Sequence, residues 1–230
     1  NNIDLHASKL SISEEEISVS DINKTVKLIL KELHELKEQN LSLKKEVENY
    51  HKEIKHLQKE LASARAEANF DFLTGLVNRK RFERAIEDAI KDFHKKNYPF
   101  SIIFVDVDNF KKVNDTYGHL AGDIVLKEIA SIFKFYLRAN TVVGRIGGEE
   151  FCILLPGVEI EDARNIAERL RKIIENREIK LEDGTVLKVT ASFGITQVKI
   201  GDTLKTILER ADKALYKAKK TGKNKVEVEF

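Results

Sequence analysis

The chain has no methionine, not even at position 1. A fragment or processed chain is therefore expected, with an upstream domain missing from the sequence. It has one cysteine, Cys152, which excludes an intrachain disulfide and fits a reducing compartment. Cys152 lies in an apolar run, so it reads as a small buried hydrophobe rather than a nucleophile. No apolar run approaches the length of a transmembrane helix, and no signal peptide is visible. The net charge of +2 is too small to argue for nucleic-acid or membrane binding, so any basic site must be local. The expected location is cytoplasmic, alone or as the cytoplasmic part of a longer sensor.

What is present is charge and periodicity. The 230 residues are 34% charged and 42% hydrophobic, enough for one sizeable domain plus a charged extension. Residues 1–20 are polar and Ser/Glu-rich and read as a tail or the remnant of an upstream domain. Asp21 is placed to cap a helix over 21–69. Along that helix the apolar spacing alternates four and three. The d positions are Ile22, Ile29, Leu36, Leu43, Tyr50, Leu57 and Ala64. The a positions are Val26, Leu33, Asn40, Val47, Ile54, Leu61 and Ala68. A period of 3.5 residues sustained this long predicts a left-handed coiled coil. Asn40 at an a position favours a parallel, in-register homodimer. Glu32 facing Lys37, and Glu60 facing Arg65, agree with that orientation. The alternative is a single amphipathic helix packed on its own domain.

Residues 70–230 read as alternating strands and helices with several hairpins, an α+β sheet with helices packed on it. Pro99 introduces the strand Phe100–Val107, apolar enough to be covered on both faces. It ends in Asp106 and Asp108. Helices are predicted over 109–115, 121–137, 159–176 and 203–221. Asp183-Gly184 marks a hairpin and Val226–Val228 a final strand.

The stretch Arg145-Ile146-Gly147-Gly148-Glu149-Glu150-Phe151 lies between two apolar runs and reads as a hairpin. Its glycines allow positive φ and close approach of a ligand. Its carboxylates suit a hard cation. Alone, such a turn is a solvated hairpin. The second acidic strand end at Asp106 and Asp108 changes the balance.

Together these stretches resemble the signature of GGDEF-domain diguanylate cyclases in its GGEEF form, over roughly residues 69–228. Asp71-Phe72-Leu73-Thr74-Gly75-Leu76-Val77-Asn78-Arg79 resembles the family's opening D-x-L-T-G-L-x-N-R segment. Ala191-Ser192-Phe193-Gly194-Ile195 resembles its T-x-S-x-G strand. For Asp71 and Arg79 a structural salt bridge is the alternative.

The resemblance implies a five-stranded, ferredoxin-like palm shared with nucleotidyl cyclases. It implies condensation of two GTP into cyclic di-GMP with release of two pyrophosphates. Asp106, the Val107 carbonyl and Glu149 would hold Mg²⁺, with Mn²⁺ as a substitute and two ions per half-site. Glu149 or Glu150 would take the 3′-hydroxyl proton, and Asp108 would support. Asn109 and Phe110 amides, Lys219 and Lys223 would bind phosphate, and Lys111 would help neutralise it. Lys223 stands where the family commonly has arginine, which removes a bidentate fork. Asn114 and Asp123 would read guanine, with turn and helix capping as the alternatives. Arg145 is either catalytic or a structural partner of a carboxylate.

The family's R-x-x-D inhibitory motif is degenerate here, Arg138 followed by Thr141, so feedback inhibition through it should be weak. Each domain would hold one GTP, so the enzyme would be a dimer joined by the coiled coil, through which an upstream sensor would act. A catalytically silent domain that binds GTP or cyclic di-GMP is the alternative reading.

Overall fold

The computed structural model of the chain describes residues 19–230. The expected tail lies outside the described residues, except for its last two positions, which are helical. The chain divides into two units between residues 62 and 63.

The first unit carries helix α1 (Val19–Asn69), which continues into the start of the second. The helix begins at Val19, two residues ahead of the start expected at Asp21. The apolar heptad positions from Ile22 to Leu61 are all 47–58% exposed. Within its own unit nothing covers this stripe, and a helix of this length gains most of its stability from packing such a face.

The second unit is built on a six-stranded sheet. Its strands are β1 (Val77–Asn78), β2 (Phe100–Val107), β3 (Val142–Arg145), β4 (Glu150–Pro156), β7 (Ala191–Gln197) and β8 (Val226–Val228). The order across the sheet is β1-β3-β4-β2-β7-β8. The pairs β3–β4, β4–β2 and β2–β7 are antiparallel, while β1–β3 and β7–β8 are parallel. The five expected strands are present, and the two-residue β1 adds a sixth at the edge. Two residues are too few to show alternation, which is why the sequence did not reveal it. A separate hairpin pairs β5 (Ile179–Lys180) with β6 (Val186–Leu187), with Gly184 at φ 87° in its turn.

All eight residues of β2 are buried, as a central strand covered on both faces must be. The alternation along β2 sorts two cores. Phe100, Ile102 and Phe104 join Cys152 and Leu154 beneath α2 (Arg79–Lys96) and α6 (Leu204–Lys220). Ile103, Val105 and Val107 join Phe151, Ile153 and Phe193 beneath α4 (His119–Tyr136) and α5 (Ile160–Asn176). Cys152 is fully buried and burial pushes its thiol well up, so it is an inert hydrophobe, as expected. Asn78 starts α2 by accepting a hydrogen bond from the Arg81 amide at 3.0 Å.

One close approach aims α6 at the site. A Cβ on Gly194 would lie 2.1 Å from the Leu215 nitrogen and 2.5 Å from the Ala211 oxygen. Only glycine lets the helix backbone sit this near β7.

Candidate active site

The carboxyl end of β2 and the β3–β4 turn meet. Asp106 lies opposite Glu150 across β2–β4, and the Val107 amide donates to the Glu149 carbonyl at 3.3 Å. A cleft of about 450 Å³ opens there. It gathers Asp106, Asp108, Glu149, Lys111, Lys219 and Lys223, which the sequence assigned to one site from positions over 100 residues apart. It also holds Lys112 and Asp115, which sequence reasoning missed. Both sit on α3 (Phe110–Tyr117), where helical spacing could have suggested them.

Asp106 is buried and pairs with the Lys219 ammonium at 2.6 Å. Burial pushes its carboxyl up despite Lys219, and the nearby charges of Glu150 and Asp108 add to the rise. Burial also pushes Glu149 up, and the Asp106 charge reinforces it. Two carboxylates that resist carrying negative charge side by side form a donor set relieved by a hard cation. Among the described residues no group of three or more metal-type side chains occurs. The two carboxylates thus fit Mg²⁺ only with the mixed shell this ion prefers, completed by backbone, water or phosphate oxygens.

Asp108 is spoken for. It accepts from Thr190 Oγ1 at 2.7 Å, Ser192 Oγ at 2.6 Å and the Asn224 amide at 2.9 Å. The Thr-x-Ser alternation puts both hydroxyls on one side of the chain, and Asp108 collects them.

The helix expected over 109–115 is Phe110–Tyr117, and Asn109 precedes it with φ 57°. Asn109 accepts from the Lys223 ammonium at 2.6 Å. Asp123 does not cap α4, because that helix begins at His119 and Asp123 lies inside it. Asn114 Oδ1 is buried with no partner. A buried polar oxygen without a partner costs stability, so this one suits a ligand or a water that brings a donor. The Cβ of an alanine at 122 would lie 2.0 Å from this oxygen and 3.0 Å from the Phe110 ring, so Gly122 keeps the space beside Asn114 open.

The signature glycines work differently from expectation. Neither Gly147 nor Gly148 adopts positive φ. A Cβ on Gly147 would meet Glu150 Oε2 at 2.2 Å, the far end of a side chain that can swing aside, while nothing crowds Gly148. The hairpin is closed by Ile146 and Gly147 amides donating to the Glu150 carbonyl.

Arg145 is the structural partner of a carboxylate. Its guanidinium donates to both Asp71 oxygens at 3.2 Å and to the Gly148 carbonyl at 2.7 Å. Arg79 pairs with Glu83 instead, so the suggested Asp71 and Arg79 salt bridges go to other partners. Burial works against ionised Asp71, but hydrogen bonds from Thr74 and the Arg145 guanidinium outweigh it and hold the carboxyl low. That stability is present above the unfolded-state pKa and is lost as pH falls through the folded one. Asp71→Asn is therefore expected to cost about 2 kcal/mol at neutral pH. The deficit should shrink as pH drops, in urea unfolding followed at both pH values. A variant as stable as the parent at neutral pH would contradict this.

Arg138 and Thr141 lie elsewhere, in a separate pocket of about 350 Å³ shared with Asp162 and Arg169.

The profile of the family described as "Diguanylate cyclase, GGDEF domain" matches residues 68–225. Diguanylate cyclase VdcA of Vibrio cholerae is 38% identical over 168 residues, 72% of this chain and 48% of the relative. Diguanylate cyclase A of Treponema denticola is 44% identical over 139 residues, 60% of this chain and 37% of the relative. The chain thus spans less than half the length of these curated relatives. Among solved structures, the coiled coil and GGDEF domain of DgcB from Caulobacter crescentus, in complex with c-di-GMP, matches with a TM-score of 0.77 at 29% identity. That match covers 81% of this chain and 99% of the other.

Proposed function

From the premise that this chain belongs to the GGDEF-domain family of diguanylate cyclases, we propose that it condenses two GTP into cyclic di-GMP and two pyrophosphates as a homodimer. The observation that carries this is the one cleft where two carboxylates pushed toward neutrality, Asp106 and Glu149, face four lysines. Such a cleft suits a metal-bound triphosphate better than a free anion or a free cation, because it offers both signs of charge at once.

Asp106 and Glu149 would hold Mg²⁺, with the Val107 carbonyl and phosphate oxygens. The ion, when bound, neutralises charge on the triphosphate and polarises the α-phosphorus toward attack. Lys219 and Lys223 supply ammonium groups to the phosphates from the end of α6, and Lys111 does so from α3. Lys219, which pairs with Asp106 at 2.6 Å in this structure, would be free to meet phosphate if that carboxylate held the ion instead. The carboxylate of Glu149 or Glu150 accepts the proton of one GTP's 3′-hydroxyl, the 3′-oxygen bonds to the α-phosphorus of the other GTP, and the bond from that phosphorus to the bridging oxygen breaks to release pyrophosphate.

Asn114 Oδ1 and the Asp123 carboxylate accept hydrogen bonds from the guanine amino and N1 donors, which adenine does not present. A buried acceptor left unpaired is a strong ground for rejection. The test is parallel incubation with GTP and ATP, with chromatography of the products. A cyclic dinucleotide from GTP alone is expected, and equal use of ATP would sink the guanine assignment.

Gly122→Ala should weaken GTP binding by at least about tenfold, the value of one good polar contact, because Asn114 must swing away from the added methyl. Calorimetric titration with GTP measures it, and unchanged affinity would refute the role of this opening.

The two half-sites are brought together by pairing of the exposed α1 stripes. Changes in coil register or splay would then set activity.

A further inference from the structure

Three consecutive residues carry the chain from α6 to β8 with positive φ: Gly222 (121°), Lys223 (62°) and Asn224 (44°). Only the first is glycine. A lysine with its long side chain is rarely left-handed, and such a conformation persists only where its surroundings over-determine it. Lys223 is one of the lysines in the cleft, so what fixes its backbone decides where its ammonium can go.

The fixing contacts converge on Asn224. Ahead of it, the Lys223 amide donates to the Ala218 carbonyl at 3.0 Å, the long bond of a Schellman helix end. At Asn224 the backbone amide donates to Asp108 Oδ2 at 2.9 Å. Its side-chain nitrogen donates to Glu175 Oε1 at 2.7 Å, and its side-chain oxygen accepts from Arg171 Nη1 at 2.9 Å. Arg171 and Glu175 are themselves paired at 3.0 Å on α5, and Arg171 also holds Glu168 at 2.9 Å. Asn224 therefore ties the lysine loop to two rigid bodies, the end of β2 and helix α5. Neither tie touches the substrate cleft through the Asn224 side chain, which does not line it. Asparagine is also the non-glycine residue that best tolerates this backbone region, so the position meets both demands.

We propose that Asn224 is a positioning residue for the triphosphate. Clamped by Asp108, Arg171 and Glu175, it holds Lys223 so that the ammonium lies over Asn109 at the start of α3, ready for phosphate. This rests on the cyclase reading for the identity of the substrate, but not for the clamp itself. A lysine on a loose loop must be ordered at the moment of binding, so the expected loss falls on binding rather than on the chemical step.

The test is Asn224→Gly in the full chain. Glycine keeps the left-handed backbone and the amide bond to Asp108 and removes only the tie to α5. The KM for GTP should rise about tenfold, the worth of a lost charge-assisted hydrogen bond. The turnover number should stay within about threefold. Arg171→Gln cuts the same tie from the other side. The double variant should bind no worse than Asn224→Gly alone, since that change already removes the bond to Arg171 along with the one to Glu175. Titration with inorganic tripolyphosphate gives a readout free of turnover, and affinity should fall by the same factor. If the parent makes no product but the variant still loses tripolyphosphate affinity, the cyclase reading fails and the clamp stands. A parent-like KM and tripolyphosphate affinity in Asn224→Gly would overturn the proposal. So would a purely additive double variant, or a lower melting temperature with KM unmoved.

Discussion

Asp106→Asn is expected to cut cyclic di-GMP formation about a thousandfold and to leave the apo fold at least as stable as the parent. The loss follows from the metal assignment. An amide keeps the shape but brings no negative charge to the ion, and several kcal/mol of transition-state stabilisation go with it, each 1.4 kcal/mol a factor of ten. The stability follows from burial. Asp106 has its carboxyl pushed up even with Lys219 at 2.6 Å, so burial outweighs the ion pair. Its folded-state pKa exceeds its unfolded one. The stability from this group is therefore fully present below the unfolded pKa and lost as pH rises through the folded one. Glu149 has the same sign. At neutral pH the parent carries this penalty and the neutral isostere does not. Melting in EDTA should place the variant at or above the parent. Adding Mg²⁺ should stabilise the parent, by mass action on the folded state, and not the variant. A variant with a tenth of parental activity, or one that melts well below the parent in EDTA, would contradict the assignment.

The second large effect concerns the coil. Leu36→Lys with Leu43→Lys places two charges at d positions of the exposed stripe, and the dimer should fall apart. Sedimentation should then give the 26.3 kDa of one chain rather than twice that. If each domain holds one GTP, separated domains must meet by diffusion. A short link supplies an effective concentration near the millimolar range, so at micromolar protein the specific activity should drop by about 10²–10³. It should also become proportional to protein concentration, which the parent's should not. Both substitutions lie on residues remote in sequence from the cleft, and Arg145, Asp106 and their partners are untouched. A monomer with parental specific activity would show that the coil does not deliver the second half-site.

What was legible in the sequence divides along physical lines. Short-range patterns read well. The eight-residue apolar run gave β2 to the residue, the four-three spacing gave α1, and two glycines between apolar runs gave the β3–β4 hairpin. The residues of the cleft were named because the motifs that carry them stand in a recognisable order, and the fold brings those motifs to one place. Long-range pairings did not read. Arg145 was left between two roles because its partner, Asp71, is 74 residues away. Asp108 gathers donors from 82 to 116 residues away, and no local pattern announces them. The left-handed Lys223 is held by tertiary contacts against local preference, between a glycine and an asparagine that tolerate the same region. Gly147 was expected for its dihedral freedom, yet its φ is not positive, and what lies beside it is the tip of the Glu150 side chain. The open space beside Asn114 likewise comes from Gly122 on a different helix, eight residues on.

The central claim is most directly tested by incubating the purified chain with GTP and Mg²⁺ and separating the nucleotides by chromatography, with Glu149→Ala in parallel. The account expects cyclic di-GMP and pyrophosphate from the parent and neither from the variant. GTP bound by the parent but recovered unchanged, or equal product from Glu149→Ala, would contradict it.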